Sequence, residues 1–529
     1  MSQTRRGSTD GNEHRTYGGR GTHVAATLAA LLMVSRLVGF IRSQVMAALF
    51  GATGETDAFI VAISVSTLVT TFTGPVTIAF LPVYAAAVGR GDFRAASKVA
   101  SQVITLLGGF MMVASMSLAA LAPQLTRLVA PGFGEETYIK AISLTRVLLA
   151  AMVLPLLASF AKSILNTQRE FVIPALADII ENLVVVLALV LLAPKLGVES
   201  LGLASSAGFL ALFIIQYVTL KKSGSWPPME FGLGPDTRKV LALALPLMGS
   251  SLFAGLHRFV DKALASGLAE GSLAVLEYAE RIRGLPMGIL VAAATTVMLP
   301  SLSGMWGRRD AFAFASSVEG NLRSIEFICI PIAAGLMVLA RPVVRLAFQR
   351  GAFTAGAAQA TAAALTAYAP GLAAMAAVRI ITAAFISSQK TGLSVLIGIW
   401  SSLLNVGLDY AFIGLLGHVG LALASTVAGF LTFAAAILLL RREHRRHLNL
   451  RALAASIGKM MVAATVMAAI AVRLADATGL SLGTGTTAKD AMLLACISTA
   501  SIVTYLTLTI LLRCDEMSRL AGLFGKRSS

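Results

Sequence analysis

The side chains in this 529-residue chain best suited to chemistry are arginines stranded inside long apolar runs. A guanidinium is always charged and offers a planar fork of donors matched to phosphate or carboxylate oxygens, so a cavity with unbalanced Arg calls for an anionic ligand. Arg36 lies about 18 Å into the first apolar run at 1.5 Å per residue, too deep to snorkel, and Arg42 sits about 120° further round the same helix. Neither has an acidic residue within a turn. An arginine at the centre of a span costs about 2.5–3.5 kcal/mol on insertion scales, so it faces a wet cavity or a partner. Arg281 enters from the opposite side and lies about 12 Å in. Glu277, four residues earlier, offers Arg281 an intrahelical pair. Arg283 is about 200° from Arg281 and is read as facing elsewhere. Arg258, Asp261 and Lys262 fall within one turn, as either a self-neutralising cluster or a binding group. Arg146, Arg323, Arg379 and Lys459 read as structural or interfacial.

The acidic inventory suggests one further place. Asn405 and Asp409 share a helix face at i and i+4. With Asp261 and the hydroxyls of Ser425 and Thr426 they make a candidate oxygen cage for Na⁺ or a proton; the alternative is that Asp261 neutralises Arg258. No soluble-type catalytic constellation is present: the histidines show no zinc spacing, there is no Walker A sequence, and no Gly-rich loop follows a strand. Cys329, Cys496 and Cys514 fall at no metal spacing. The expectation is a non-enzyme without a cofactor, driven by a gradient, the membrane potential or a downhill substrate, with Na⁺ or proton coupling as the candidate ion requirement.

The elements that must carry these residues follow from composition. Hydrophobic residues make up 57% of the chain, charged residues only 13%, and mean hydropathy is +0.80; a soluble domain carries about 25% charged residues. The net charge of +17 lies in short clusters between apolar runs, an arrangement that orients helices in a bilayer rather than gripping nucleic acid. A ruler of about 20 apolar residues per crossing places about 14 spans, so the expected fold is an all-α polytopic membrane protein. Continuously apolar stretches such as Val184 to Leu192 exclude an outer-membrane barrel. With the N-terminus inside, the cytoplasmic segments carry roughly three times as many Lys and Arg as the other side, which puts both termini in the cytoplasm. The polar, basic first 22 residues precede a run with no small-residue cleavage site, so no segment is expected to be removed.

An internal repeat organises the spans. Leu81-Pro82 followed by Gly89-Arg90-Gly91-Asp92 recurs as Leu299-Pro300 followed by Gly307-Arg308-Arg309-Asp310, and Leu121-Ala122 with Arg127-Leu128 recurs in the same register as Leu339-Ala340 with Arg345-Leu346. Both copies start from the cytoplasm, so the halves read as parallel repeats about an axis along the membrane normal, with a site between lobes and alternating access. The expected organisation is a basic tail (1–22), a first lobe of six spans (23–220), a linker (221–239), a second lobe of six spans (240–440), a basic loop (441–451), two added spans (452–512) and a tail (513–529).

At Ser35-Arg36-Leu37-Val38-Gly39-Phe40-Ile41-Arg42, with Gly51 and Thr56-Asp57-Ala58-Phe59 after it, the chain resembles the MurJ/MviN family of lipid II flippases, within the multidrug/oligosaccharidyl-lipid/polysaccharide exporter superfamily. The likeness continues at Ala130-Pro131-Gly132-Phe133, Ile164-Leu165-Asn166-Thr167, Tyr278-Ala279-Glu280-Arg281, Gly351-Ala352-Phe353-Thr354 and Ala411-Phe412-Ile413-Gly414. The resemblance implies a V-shaped, two-lobed carrier of undecaprenyl-pyrophosphate-linked peptidoglycan precursor from the inner to the outer leaflet of the bacterial cytoplasmic membrane. It implies Arg36, Arg42, Asp57 and Arg281 as cavity residues, and sodium ligands at Asp261, Asn405, Asp409 and Ser425 or Thr426. The partners it implies are the lipid-linked glycan pyrophosphate, membrane lipids and cell-wall synthesis proteins, with the chain acting as a monomer. Two positions depart from the family pattern: Val69 to Pro75 is uncharged where members carry an arginine and an acidic-glycine step, and Gly284 stands where a glutamate is usual. A flippase for another polyprenyl-pyrophosphate glycan is the alternative these departures raise. A cation-coupled drug exporter and a membrane scaffold acting through its basic loops are more distant rivals.

Overall fold

The computed structural model describes residues 10–443, 448–480, 487–514 and 516; the basic segments over 1–9, 444–447 and 517–529 lie outside the described residues. Every regular element among the described residues is helical. The first half runs α1 (Asp10–Phe50), α2 (Gly54–Gly89), α3 (Phe93–Ala120), α4 (Ala122–Val129), α5 (Glu135–Ala151), α6 (Val153–Thr167), α7 (Val172–Leu196) and α8 (Glu199–Lys222). The second runs α9 (Pro235–Ser266), α10 (Ser272–Pro286), a π-helical turn (Met287–Val291), α11 (Ala292–Gly307), α12 (Ala311–Val338), α13 (Ala340–Phe348), α14 (Ala355–Tyr368), α15 (Gly371–Ser387) and α16 (Thr391–Glu443). Two further helices follow, α17 (Leu450–Ala477) and α18 (Thr487–Leu511). Among the described residues, ten helical segments are long and apolar enough to cross a bilayer, eleven if the pair α14 and α15, bent by 45°, is one span.

The apolar runs become helices because a lipid-facing backbone must satisfy its hydrogen bonds internally. Where the pattern breaks, the cause is local. The 53-residue α16 holds non-helical backbone at Gly417 (φ 57°), dividing it where the sequence predicts a turn between two spans. The helical run from α10 into α11 is interrupted by the π turn just after Pro286, whose ring crowds the preceding turn and which has no N–H to donate. The linker read over 221–239 gives way to α9 already at Pro235, a proline in the first turn where its missing N–H costs nothing. The short helices α4 and α13 were not foreseen. At eight and nine residues they cannot cross a membrane, and each lays one buried face on the ends of its lobe.

The halves repeat element by element. Asp92 caps α3 by accepting from the Ala95 N–H at 2.9 Å, and Asp310 caps α12 by accepting from the Ala313 N–H at 2.9 Å. Gly91 and Arg309 both hold positive φ (74° and 59°) before those caps. Arg169 and Gln389 (φ 64° and 61°) mark the same later turn in each half, as do Gly197 and Gly417. One apolar cluster packs α2, α3 and α6 around Phe80 and Phe160, and a second packs α11, α12 and α15 around Phe314 and Phe385. Outside the repeat, α17 through Met460 and Met467 and α18 through Tyr505 pack on α12 at Phe327.

Candidate functional site

The two lobes meet in a tight clasp at the ends of α1, α9 and α13, the face that the charge bias assigns to the outside. Its core joins Ala47, Ile60 and Val65 of the first half to Tyr278, Phe348 and Phe353 of the second. The Ala352 N–H donates to the Ala48 carbonyl at 2.8 Å. Gly51 and Gly351 permit this approach: both hold left-handed backbone (φ 67° and 60°), and a Cβ on Gly51 would sit 2.5 Å from the Ala352 carbonyl oxygen. Asp57 belongs to the same clasp. Its carboxylate accepts from the backbone N–H groups of Gly271 (2.7 Å) and Ala274 (2.8 Å), so a side chain of the first lobe caps the N-terminus of α10 in the second. Asp57 is buried, with both oxygens committed to backbone, and its carboxylate is not turned into an open cavity.

The predicted arginines gather beneath this clasp. Arg36 is exposed, makes no ion pair among the described residues, and lies against the π turn of the other lobe: a Cβ on Gly288 would be 3.6 Å from its Nε. Depths of about 18 Å from one face and about 12 Å from the other put Arg36 and Arg281 at one level of a hydrocarbon layer roughly 30 Å thick. Arg281 pairs with Glu277 at 3.2 Å yet keeps 58% of its side chain exposed. Arg42 is the least free of the three. Glu181 on α7 approaches its guanidinium to 3.9 Å, a partner that no spacing within α1 reveals. Arg281 is close enough to repel both Arg42 and Lys262, so a positive field spans the gap between lobes.

Beside this gap, inside the second lobe, a chamber of about 670 Å³ opens between α9, α10, α15 and α16. Arg36, Arg42, Asp57 and Arg281 do not line it; Glu277, the partner of Arg281, does, so the two spaces adjoin. Its charged walls are Arg258, Lys262, Arg283 and Arg379 against Asp261, Glu277 and Glu280. Arg283, read as facing away, is the most tightly held: it bonds Glu280 at 2.5 Å, donates to the Met375 sulfur at 3.0 Å and stacks 4.7 Å over the Tyr368 ring. The 200° separation from Arg281 carried that information, since it turns Arg283 from the gap into the chamber. Arg258 and Asp261 do not neutralise one another; no ion pair joins them, because the Asp261 carboxyl turns to Asp409.

The candidate cation residues converge only in part. The Asp261 and Asp409 carboxyl groups lie beside one another. Asn405 donates to the Ser425 hydroxyl at 3.3 Å. The Thr426 hydroxyl donates to the Ala367 carbonyl at 2.7 Å. Asp261 Oδ1 and Asp409 Oδ2 are buried without a partner, a hard-oxygen set that suits Na⁺ or a proton. No group of three His, Cys, Asp or Glu side chains positioned to hold a metal occurs among the described residues.

Two helical repeats clasped at one end around a positively charged gap define the chain as a multi-pass membrane transporter of the two-lobed, alternating-access class. It belongs to the lipid II flippase MurJ family, whose model matches residues 46–490. The lipid II flippase MurJ of Burkholderia cenocepacia is 28% identical over 428 residues, covering 79% of this chain and 83% of that one. A probable lipid II flippase MurJ of Rhizobium tropici is 27% identical over 478 residues, covering 87% and 88%. Among solved structures, a lipid II flippase MurJ in an inward closed conformation superposes with a TM-score of 0.77 at 23% identity, over 92% of this chain and 99% of that one. An inward-facing multidrug resistance transporter of the MATE family superposes with a TM-score of 0.62 at 18% identity, over 79% and 94%. Both share the fold.

Proposed function

We propose that this chain flips lipid II, the undecaprenyl-pyrophosphate-linked peptidoglycan precursor, from the inner to the outer leaflet of the cytoplasmic membrane, with both termini in the cytoplasm, as a monomer and without a covalent step. The observation that carries the reading is Arg36: an exposed guanidinium without an ion pair among the described residues, held at bilayer depth against the opposite lobe. Such a charge is costly in hydrocarbon unless water or an anion meets it. A pyrophosphate between the lobes supplies that anion, with Arg36 and Arg281 as its direct partners and Arg42, held by Glu181, adding field from behind. The cargo's polyprenyl tail stays in lipid. Asp57 acts on the clasp: when the lobes rock, its bonds to α10 must break for the outer side to open. The lobes are taken as 23–220 and 240–440 with 452–512 added, which distributes about 14 spans. Asp261, Asn405 and Asp409, with Ser425 and Thr426, would hold a coupling Na⁺ or proton, linking the second lobe's state to an ion gradient.

The uncharged stretch Val69 to Pro75 favours a second reading in which the glycan on the polyprenyl carrier differs. Depletion of a bacterium's own lipid II flippase separates them. Restored growth on expression of this chain supports lipid II as cargo; failure with full membrane expression moves the cargo to another polyprenyl-linked glycan.

A further inference from the structure

The chamber in the second lobe has more positive charge than its own walls neutralise. Of its four basic side chains, Arg283 is neutralised by Glu280, and Lys262 lies in the field of Asp261 and Glu277. Arg258 on α9 and Arg379 on α15 are exposed and make no ion pair or hydrogen bond among the described residues, although seven charged groups line one space. Two guanidiniums left open in one chamber are the donor set for carboxylates. The remaining wall is rich in small polar groups, among them Thr382, Ser394, Ser401 and Ser402, which suit the hydroxyls and amides of a glycopeptide. At about 670 Å³ the space has the volume of a ligand site rather than of a packing defect. It adjoins the Arg36 and Arg281 gap through Glu277, so one elongated cargo can reach both.

We infer that the chamber is a second, separate anion subsite, in which Arg258 and Arg379 receive carboxylates of the cargo's head group while the pyrophosphate stays between the lobes. This rests on the lipid-linked reading above and adds a specificity to it: a head group that keeps its carboxylates is preferred over one in which they are amidated. Retention then has two independent parts, one for the carrier's pyrophosphate and one for what the carrier holds.

The test is binding to the full chain in lipid nanodiscs, using lipid II with free peptide carboxylates and lipid II with those carboxylates amidated. The readout is the ratio of the two affinities. Wild type is expected to favour the free acid at least ten-fold, a double Arg258→Gln, Arg379→Gln variant to bring the ratio below about three-fold, and Arg379→Lys to keep most of the preference. Arg36→Gln weakens both ligands and preserves the ratio. Equal affinity of wild type for the two forms, or an undiminished ratio in the double variant, overturns this subsite alone. Binding of neither form by wild type overturns the lipid-linked reading and the subsite with it.

Discussion

At the scale of single residues, the arginines differ in what already holds them, and that difference sorts their roles. Glu181 lies 3.9 Å from Arg42, both side chains mostly buried, so Glu181→Leu should cost stability, about 1–3 kcal/mol for a charged group losing its partner. Thermal unfolding in detergent measures it. Arg36 has no such partner, so Arg36→Leu should raise the unfolding temperature while transport is lost, an exchange of stability for function. A fall in stability on that substitution would mean that the side chain is held by protein after all. The depth of Arg36 and its lack of an acidic neighbour were legible in the sequence, because both follow from helical rise and spacing. The partner of Arg42 was not: Glu181 is far along the chain, and pairing between helices leaves no periodic trace. Arg379, read as structural or interfacial, showed its place on a chamber wall only when α15 and α16 came together.

At the scale of elements, the clasp is the part that alternating access must undo. The Asp57 cap on α10 involves two charge-assisted hydrogen bonds, each worth about 1.5–3 kcal/mol. Asp57→Asn should therefore move the lobes toward the outward-open state by ten-fold or more. Gly351→Val should act in the same direction, since its backbone is left-handed and an added Cβ meets the Ala48 carbonyl. Both are read as faster labelling of a cysteine placed at Ala47, which is fully buried in the clasp, by a membrane-impermeant thiol reagent, in a chain whose Cys329, Cys496 and Cys514 are replaced. Unchanged labelling in both variants would show that the clasp does not control opening. The repeat was visible in the sequence because capping aspartates and turn residues are chemically specific: Asp92 and Asp310 perform the same act in each half. The clasp glycines carried only a family likeness, because what they permit is an approach between segments some three hundred residues apart. The short helices α4 and α13 escaped because eight or nine residues are too few to set a period.

At the scale of the molecule, a two-lobed body closed at one end leaves a positive gap and a polar chamber as its interior, and its lipid-facing surface gives a polyprenyl tail somewhere to remain while the head group crosses. Asp261 lies on the chamber wall in the second lobe rather than in the gap, so a cation held there as proposed would act by biasing the lobes and not by touching pyrophosphate. The most direct measurement of the central claim is translocation of lipid II by the purified chain in sealed vesicles, comparing wild type with Arg36→Ala reconstituted to equal density. Wild type moves lipid II across the bilayer, and Arg36→Ala, still folded, is predicted to fall at least ten-fold. Translocation by Arg36→Ala at the wild-type rate would contradict the assignment of that guanidinium to the cargo's pyrophosphate.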